Sequence, residues 1–213
     1  MKTITKELEV KQYNNFCPYI VIDNFYNENE LGLIWQELEF LCNDCKLTLP
    51  DDSDSATSPS GEILKNNKCI YVDDVYKDRK FSNILVANRK LFDNWGAFVN
   101  SHSDWFFNSL ICNVDLTLIS YYENGGYYKP HRDKAVATSL TWLYKEPKKF
   151  VGGDLTISFK DEQERIEVKN NRMVIIPSFI EHEVIEIRMD KEDCGNHLGR
   201  FCMTQFIHYD PHR

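Results

Sequence analysis

Residues 116–133 read LTLISYYENGGYYKPHRD, and this stretch determines the fold class that the sequence predicts. Residues 116–123 and 127–133 are strand-like runs, and Asn124-Gly125-Gly126 between them has the composition of a turn. A turn this short returns the chain alongside itself, so the two strands run antiparallel. The stretch therefore predicts a hairpin of an antiparallel sheet.

Six further runs of the same kind follow the hairpin along the chain. They cover residues 138–144, 154–159, 165–168, 172–176, 183–187 and 200–209. The complete set is eight runs in about 95 residues, with no helix between them long enough for a parallel crossover. Eight antiparallel strands predict a mainly β, double-stranded β-helix core, which is a cupin-like jelly roll.

The part of the chain before residue 110 has a different periodicity. Residues 16–23 predict one short buried strand, whereas residues 27–42 and 81–110 carry apolar side chains at helical spacing. We expect these helices to cover the outer face of one sheet, since their apolar stripe needs a partner. The prediction is one domain over residues 1–213, with helical support and an N-terminal strand over 1–110 and the β core over 111–210.

The composition limits the classes of partner. The 213 residues carry 25 basic and 33 acidic side chains, a net charge of −8, which argues against broad binding to a nucleic-acid backbone. No segment approaches the roughly 18 apolar residues of a membrane helix, and the first residues have no apolar signal region. We therefore expect a cytoplasmic protein with neither a nucleic-acid nor a membrane partner.

The seven cysteines are predicted to be reduced in that compartment. Cys42 and Cys45 have the spacing of a redox motif or half a zinc site, but both positions fall on the buried face of a helical pattern. Core packing is the favoured interpretation, and a thiol-redox protein is the weaker alternative. Residues 51–61 have the composition of a solvated loop, and a substrate lid over residues 51–74 is the alternative there.

His131-Arg132-Asp133 is the sharpest chemical motif. On a strand, residues i and i+2 point to the same face, so His131 and Asp133 can converge on one metal ion while Arg132 points away. His182 on a neighbouring strand is the candidate third ligand. Two histidines and one carboxylate form the facial triad typical of non-haem Fe(II) oxygenases. The protein-kinase catalytic loop also contains HRD, but it requires Asn where this chain has Thr138.

The surrounding residues resemble a known family. The pattern Yx2Gx2Yx2HxD of the prolyl 4-hydroxylase-like 2-oxoglutarate- and Fe(II)-dependent dioxygenases is matched by Tyr122, Gly125, Tyr128, His131 and Asp133. Three later segments are similar to later strands of that family, in the same order: Gly152-Gly153-Asp154, His182-Glu183-Val184 and Gly199-Arg200-Phe201. The resemblance extends over residues 114–209.

This resemblance implies a hydroxylase that uses Fe(II), 2-oxoglutarate as cosubstrate and O2, and it adds ascorbate as a further ligand. The implied reaction hydroxylates an unactivated C–H bond and releases succinate and CO2. The implied substrate is a prolyl residue in a peptide or protein, or an amino-acid-like small molecule. The intact Asp133 favours hydroxylation over halogenation, because a smaller residue there would free a metal position for halide.

A buried carboxylate of the cosubstrate needs a cation, and Arg200 is the expected partner because a guanidinium can bind it bidentately. Arg188 is the competing cation, since a polar insert over residues 189–198 lengthens the path between His182 and Arg200. Arg188 precedes that insert and does not open the last strand, so Arg200 is retained.

Four further side chains are candidates for the same pocket. Tyr122 and Tyr128 offer hydroxyl groups, and Thr204 and Phe206 share a strand face with Arg200. Core packing is the alternative for Phe206.

The strand over residues 138–144 has two possible registers. It presents to the pocket either Thr138, Leu140 and Trp142, or Ser139, Thr141 and Leu143. We favour the set with Trp142, because the resemblance implies an aromatic residue there; core packing is the alternative role for Trp142.

A jelly-roll module that binds a metal or another ligand without oxygen chemistry is the alternative function. The same three metal ligands would serve it, but Arg200 and Tyr122 would then need a different anionic partner.

Overall fold

The structure is a computed structural model, which describes residues 7–43, 46–50, 57–58, 60–99 and 103–212. The helices are α1 (Glu28–Asn43), α2 (Val72–Val75), α3 (Asn83–Asp93), α4 (Trp95–Val99) and α5 (Asp104–Asn108). The strands of the first half are β1 (Glu9–Tyr13), β2 (Tyr19–Asp23), β3 (Lys65–Asn66) and β4 (Lys68–Tyr71). Among the described residues, no helix has the length and apolar character needed to cross a membrane.

The second half of the chain supplies the other ten strands. They are β5 (Val114–Tyr122), β6 (Tyr127–His131), β7 (Ala137–Leu143), β8 (Phe150–Val151), β9 (Leu155–Phe159), β10 (Glu162–Ile166), β11 (Arg172–Pro177), β12 (Glu181–Val184), β13 (Arg188–Met189) and β14 (Arg200–His208).

Two antiparallel sheets form the body of the molecule. The major sheet has the strand order β1-β2-β11-β7-β14-β5-β4, and the minor sheet has the order β10-β9-β12-β6-β3. Most neighbours in the major sheet are distant in sequence, as in a jelly roll, whereas a simple meander would place consecutive strands side by side. The predicted mainly β jelly-roll fold is confirmed.

Each face of the major sheet has its own apolar core. On β14, Phe201, Met203 and Ile207 pack with the helices, whereas Cys202 packs between the sheets. This alternation follows from the period of two in a strand. The helices therefore lie on the outer face of the major sheet, as predicted, and the space between the sheets is left for the site.

Helix α1 begins with a capping box. The Asn27 side chain accepts a hydrogen bond from the Glu30 backbone N–H at 2.9 Å, and the Glu30 carboxylate accepts one from the Asn27 N–H at 2.7 Å. Cys42 lies on the buried face of α1 and belongs to the core, and burial raises the pKa of its thiol to about 11. A thiol held protonated is a poor nucleophile, which disfavours the thiol-redox alternative. Cys45 lies outside the described residues.

Several boundaries differ from the sequence prediction. The helical region over residues 81–110 is interrupted at Asn94, whose side-chain amide donates to the Lys90 carbonyl at 2.8 Å and ends α3. The segment over residues 51–74 is not wholly a loop, since it contains β3 and β4, one in each sheet. Residues 51–56 and 59 of that candidate lid lie outside the described residues. The short strands β1, β3, β4, β8 and β13 were not predicted. For all of them except β1, which pairs with the adjacent β2, the pairing partner lies far along the chain.

Gly152 and Gly153 let the chain pass closely behind the site. Both have positive φ, +78° and +76°. A Cβ on Gly152 would lie 2.1 Å from the Glu186 carbonyl oxygen, and one on Gly153 would lie 3.1 Å from Cδ of Arg200. Asp154 then fixes the next turn by accepting a hydrogen bond from the Val168 N–H at 2.8 Å. Gly152 is thus required by the close approach of the Glu186 backbone, and Gly153 by the packing of the Arg200 side chain.

We predict that Gly152→Ala destabilises the protein by at least ~3 kcal/mol, because the new methyl group meets a backbone oxygen as well as an unfavourable φ. Gly195→Ala is the matched control: Gly195 also has positive φ (+77°), but beyond its chain neighbours no atom lies within 4 Å of the position that a Cβ would occupy. The control should lose only ~1–2 kcal/mol. Urea unfolding of both variants measures the difference, and equal losses would contradict the packing argument.

Candidate metal and anion site

Two histidines face each other across the minor sheet. His131 at the end of β6 is the register partner of His182 on β12, and their ring centroids are 4.3 Å apart. Nδ1 of His131 lies 2.9 Å from the Lys129 carbonyl, and Nδ1 of His182 lies 3.0 Å from the Ile180 carbonyl. A carbonyl can only accept, so each Nδ1 carries a proton and donates it, and Nε2 is the ring nitrogen left to bind a metal.

Asp133 lies two residues beyond the end of β6, and the prediction that it continues the strand is wrong. Its backbone N–H donates to the Ser178 carbonyl at 3.0 Å, and its Oδ2 accepts a hydrogen bond from the Thr138 hydroxyl at 2.7 Å. The Thr138 and Ser178 hydroxyls are themselves 2.8 Å apart, and both residues are fully buried. Neighbouring chain segments, rather than strand alternation, therefore orient this carboxylate. Arg132 points outward, as predicted.

The three side chains converge. The Asp133 carboxylate lies 3.8 Å from Nε2 of His131 and 3.4 Å from Nε2 of His182, and the three ligand atoms lie within 4.8 Å of one another. Burial, and secondarily the nearby His182, lowers the pKa of His131 to about 3, so its imidazole is neutral and able to bind a metal at physiological pH. Two imidazoles and one carboxylate on one side of an ion are the donor set that suits Fe(II).

Arg200 is a fully buried cation with no counter-charge. Its exposed fraction is 0%, no ion pair to it exists among the described residues, and its Nε and Nη1 atoms have no hydrogen-bond acceptor. The guanidinium carbon lies 5.0 Å from the Tyr122 ring centroid and 5.4 Å from that of Trp142. The buried indole N–H of Trp142 faces a weak acceptor, the Cys202 sulfur, and makes no hydrogen bond of normal length and angle. Buried unpaired donors and an unpaired charge are costly, so this corner fits an anionic ligand.

The competing cation lies elsewhere. The Arg188 side chain is 78% exposed, and its nearest carboxylate is that of Glu186 at 3.7 Å. Of the two arginines considered from the sequence, the structure brings only Arg200 into the space between the sheets.

The remaining candidates line the same space. Tyr128 stacks on His131, with ring centroids 3.5 Å apart and planes inclined by 12°. Thr204 is buried opposite Leu140 in the register of β14 and β7, and Phe206 lies further along β14, 6.3 Å from the Tyr71 ring. The register of β7 turns the set with Trp142 toward the pocket, which is the set that the sequence analysis favoured.

Sequence reasoning missed the residues that support the ligands from other strands. Ser178 holds Asp133, and Thr138 was considered only as a pocket position. Lys65 and Asn67 were also missed, although both are buried near the metal ligands. In the sequence these residues are recognisable only as polar side chains. That Lys65 and Asn67 point inward becomes visible only once the strands β3 and β4 are known.

Comparison with known proteins agrees with this geometry. A family model described as the 2OG-Fe(II) oxygenase superfamily matches residues 116–208. A comparison with curated protein sequences gives no match.

Solved structures with the same fold include two prolyl hydroxylases. One is from Trichoplax adhaerens and was solved in complex with a peptide fragment of the hypoxia inducible factor oxygen degradation domain. It is 14% identical to this chain, the TM-score is 0.61, and the alignment covers 89% of this chain and 83% of that chain. The other, a prolyl-4-hydroxylase from Pseudomonas putida, is 15% identical, with a TM-score of 0.56 and coverage of 91% and 94%. Identities this low establish the fold and not the substrate. Residues 116–208, which carry the three metal ligands and Arg200, are thus similar in sequence to the 2OG-Fe(II) oxygenase superfamily, and the chain shares the fold of the two prolyl hydroxylases.

Proposed function

We propose that this protein is a 2-oxoglutarate- and Fe(II)-dependent dioxygenase that hydroxylates an unactivated C–H bond and releases succinate and CO2. The observation that carries the proposal is the pairing of a three-ligand metal cluster with a buried, unpaired arginine in one space between the sheets. The proposed substrate is a prolyl residue of a peptide or protein, or an amino-acid-like small molecule. The peptide bound to the Trichoplax protein supports the first of these.

In this proposal His131, Asp133 and His182 hold Fe(II). The bound ion, together with 2-oxoglutarate, supplies the O2 activation that amino-acid side chains cannot perform. Burial keeps the His131 imidazole neutral, the Lys129 and Ile180 carbonyls orient the two rings, and Thr138 orients the carboxylate.

Arg200 and Trp142 hold the far carboxylate of 2-oxoglutarate. Their unpaired N–H groups lie in the same corner, so one carboxylate can satisfy both. Tyr122 is buried against the guanidinium, and burial raises the pKa of its phenol, which keeps it protonated and able to donate. Tyr128 and Thr204 line the space between this corner and the metal ligands. Ascorbate binding and a cytoplasmic location stay predictions.

A module that binds a metal without oxygen chemistry remains the second candidate, because the fold and the three ligands would serve it equally well. The buried Arg200 favours the dioxygenase, since a metal-binding module has no need for an unpaired cation in the same cavity.

We expect anaerobic addition of Fe(II) and 2-oxoglutarate to produce a weak visible charge-transfer band, and admission of O2 with a substrate to release succinate. Asp133→Ala should abolish both while leaving the circular dichroism spectrum unchanged, because one of three metal ligands is lost. Absence of the band and of succinate in the native protein would support the metal-binding module instead. Retained turnover in Asp133→Ala would refute the ligand role.

Arg200→Met should weaken 2-oxoglutarate binding to the Mn(II)-loaded protein about 100-fold or more, because it removes the charge opposite a buried carboxylate. Trp142→Phe should weaken it about 3- to 10-fold through loss of one hydrogen bond. Trp35→Phe is the control, since Trp35 packs on Phe201 at the outer face of the major sheet. Calorimetric titration measures all three, and unchanged affinity in Arg200→Met would contradict the assignment.

Thr138→Val should lower the affinity for Mn(II) or Fe(II) about 10- to 100-fold, because the carboxylate of Asp133 loses the hydroxyl that orients it. Thr141→Val makes the same change at a buried position on the opposite face of β7 and should leave metal affinity unchanged. Metal titrations of both variants test this, and equal affinities would show that the Asp133 orientation does not depend on Thr138.

A further inference from the structure

Lys65 places a second buried cation beside the metal ligands. It lies on β3 opposite Tyr128, and it is only 6% exposed. Its ammonium donates to the Cys69 sulfur at 3.3 Å and lies 6.0 Å from the Tyr128 ring centroid. A thiol is a weak acceptor, and among the described residues no carboxylate pairs with this lysine. Two of its three N–H donors are therefore available to a ligand.

The position of Lys65 relative to the metal ligands is fixed by one aromatic ring. Tyr128 stacks directly on His131, and the Lys65 ammonium approaches the same tyrosine. The Lys65 ammonium and the His131 ring are thus both neighbours of Tyr128, which brings a buried cation close to the metal ligands.

Asn67 adds an independent observation. It lies where the chain crosses from β3 in the minor sheet to β4 in the major sheet, and it is 6% exposed. It lies close to the Tyr122 phenol, yet neither its Nδ2 nor its Oδ1 makes a hydrogen bond of normal length and angle. A buried amide whose hydrogen-bonding groups are poorly satisfied is rare in native proteins. Together, Lys65 and Asn67 leave donors unsatisfied at the edge that joins the sheets.

We propose that Lys65 and Asn67 form a subsite that binds the free carboxylate of a small, amino-acid-like substrate. The inference rests on the proposed dioxygenase function and narrows its substrate class. A carboxylate accepts from an ammonium and an amide at once, and a charge-assisted pair of this kind is strong in a buried site.

The local charge at Lys65 favours a substrate with a free carboxylate. Among the described residues no carboxylate pairs with the Lys65 ammonium, and a substrate carboxylate would supply that counter-charge. An internal prolyl residue of a peptide has no carboxylate to offer at this position.

The cosubstrate is the other possible source of the carboxylate, and the experiment separates the two. The protein is loaded with Mn(II) and N-oxalylglycine, an unreactive analogue that occupies the metal and Arg200. Each common L-amino acid and its primary amide is then titrated against the native protein, Lys65→Met and Asn67→Leu. Lys68→Met is the matched control, because Lys68 is an exposed lysine on β4. The readouts are the dissociation constant by calorimetry and, with Fe(II) and 2-oxoglutarate, the rate of succinate formation.

We expect at least one amino acid to bind the native protein about 10- to 100-fold more tightly than its amide. That preference should vanish in Lys65→Met, weaken in Asn67→Leu and persist in Lys68→Met. The affinity of all three variants for N-oxalylglycine should stay within about threefold of the native value. The same amino acid should stimulate succinate formation in the native protein.

Several results would overturn the proposal. The proposed subsite would be contradicted if the native protein bound no amino acid more tightly than its amide. It would also be contradicted if Lys65→Met kept the native preference for the acid. Weaker N-oxalylglycine binding in Lys65→Met, with substrate binding unchanged, would assign the lysine to the cosubstrate instead. Stimulation only by peptides with an internal proline would also exclude it. Failure of the native protein to bind N-oxalylglycine at all would refute the proposed dioxygenase function and this proposal with it.

Discussion

The Arg200 guanidinium is buried between two sheets, no carboxylate of the described part of the chain pairs with it, and the residues around it are arranged to accommodate it. Gly153 leaves room for its aliphatic stem, and the Tyr122 and Trp142 rings lie against its charge. An unpaired buried charge lowers stability, so its retention is explained by a ligand that supplies the opposite charge. A dicarboxylate that also binds a metal satisfies that requirement, and the metal ligands lie in the same space.

The jelly roll brings these groups together because its neighbouring strands are distant in sequence. His131 and His182 meet across β6 and β12, and Arg200 lies on the major sheet opposite them. The helices cover only the outer face of the major sheet, so the space between the sheets is left to polar groups at one end and to apolar packing at the other. The same architecture places Lys65 and Asn67 where the chain passes from one sheet to the other.

The motif residues could be predicted because their chemistry is local. The spacing of His131 and Asp133, the alternation that groups Arg200 with Thr204, and the helical stripe of α1 are all visible within a few residues. The support for Asp133 could not be predicted, because Ser178 contacts it through tertiary structure and β6 ends earlier than its pattern implies. Lys65 was missed for the same reason. It lies opposite Tyr128 only because β3 pairs with β6, and no local sequence pattern predicts that pairing.

One metal ion and one dicarboxylate are proposed to occupy the space between the sheets together. A crystal structure of the protein with Mn(II) and N-oxalylglycine would show this arrangement. We expect one anomalous peak bounded by Nε2 of His131, Nε2 of His182 and the Asp133 carboxylate, with the far carboxylate of the analogue on the Arg200 guanidinium and the Trp142 indole N–H. A metal peak elsewhere, or an analogue whose far carboxylate leaves Arg200 unpaired, would contradict it.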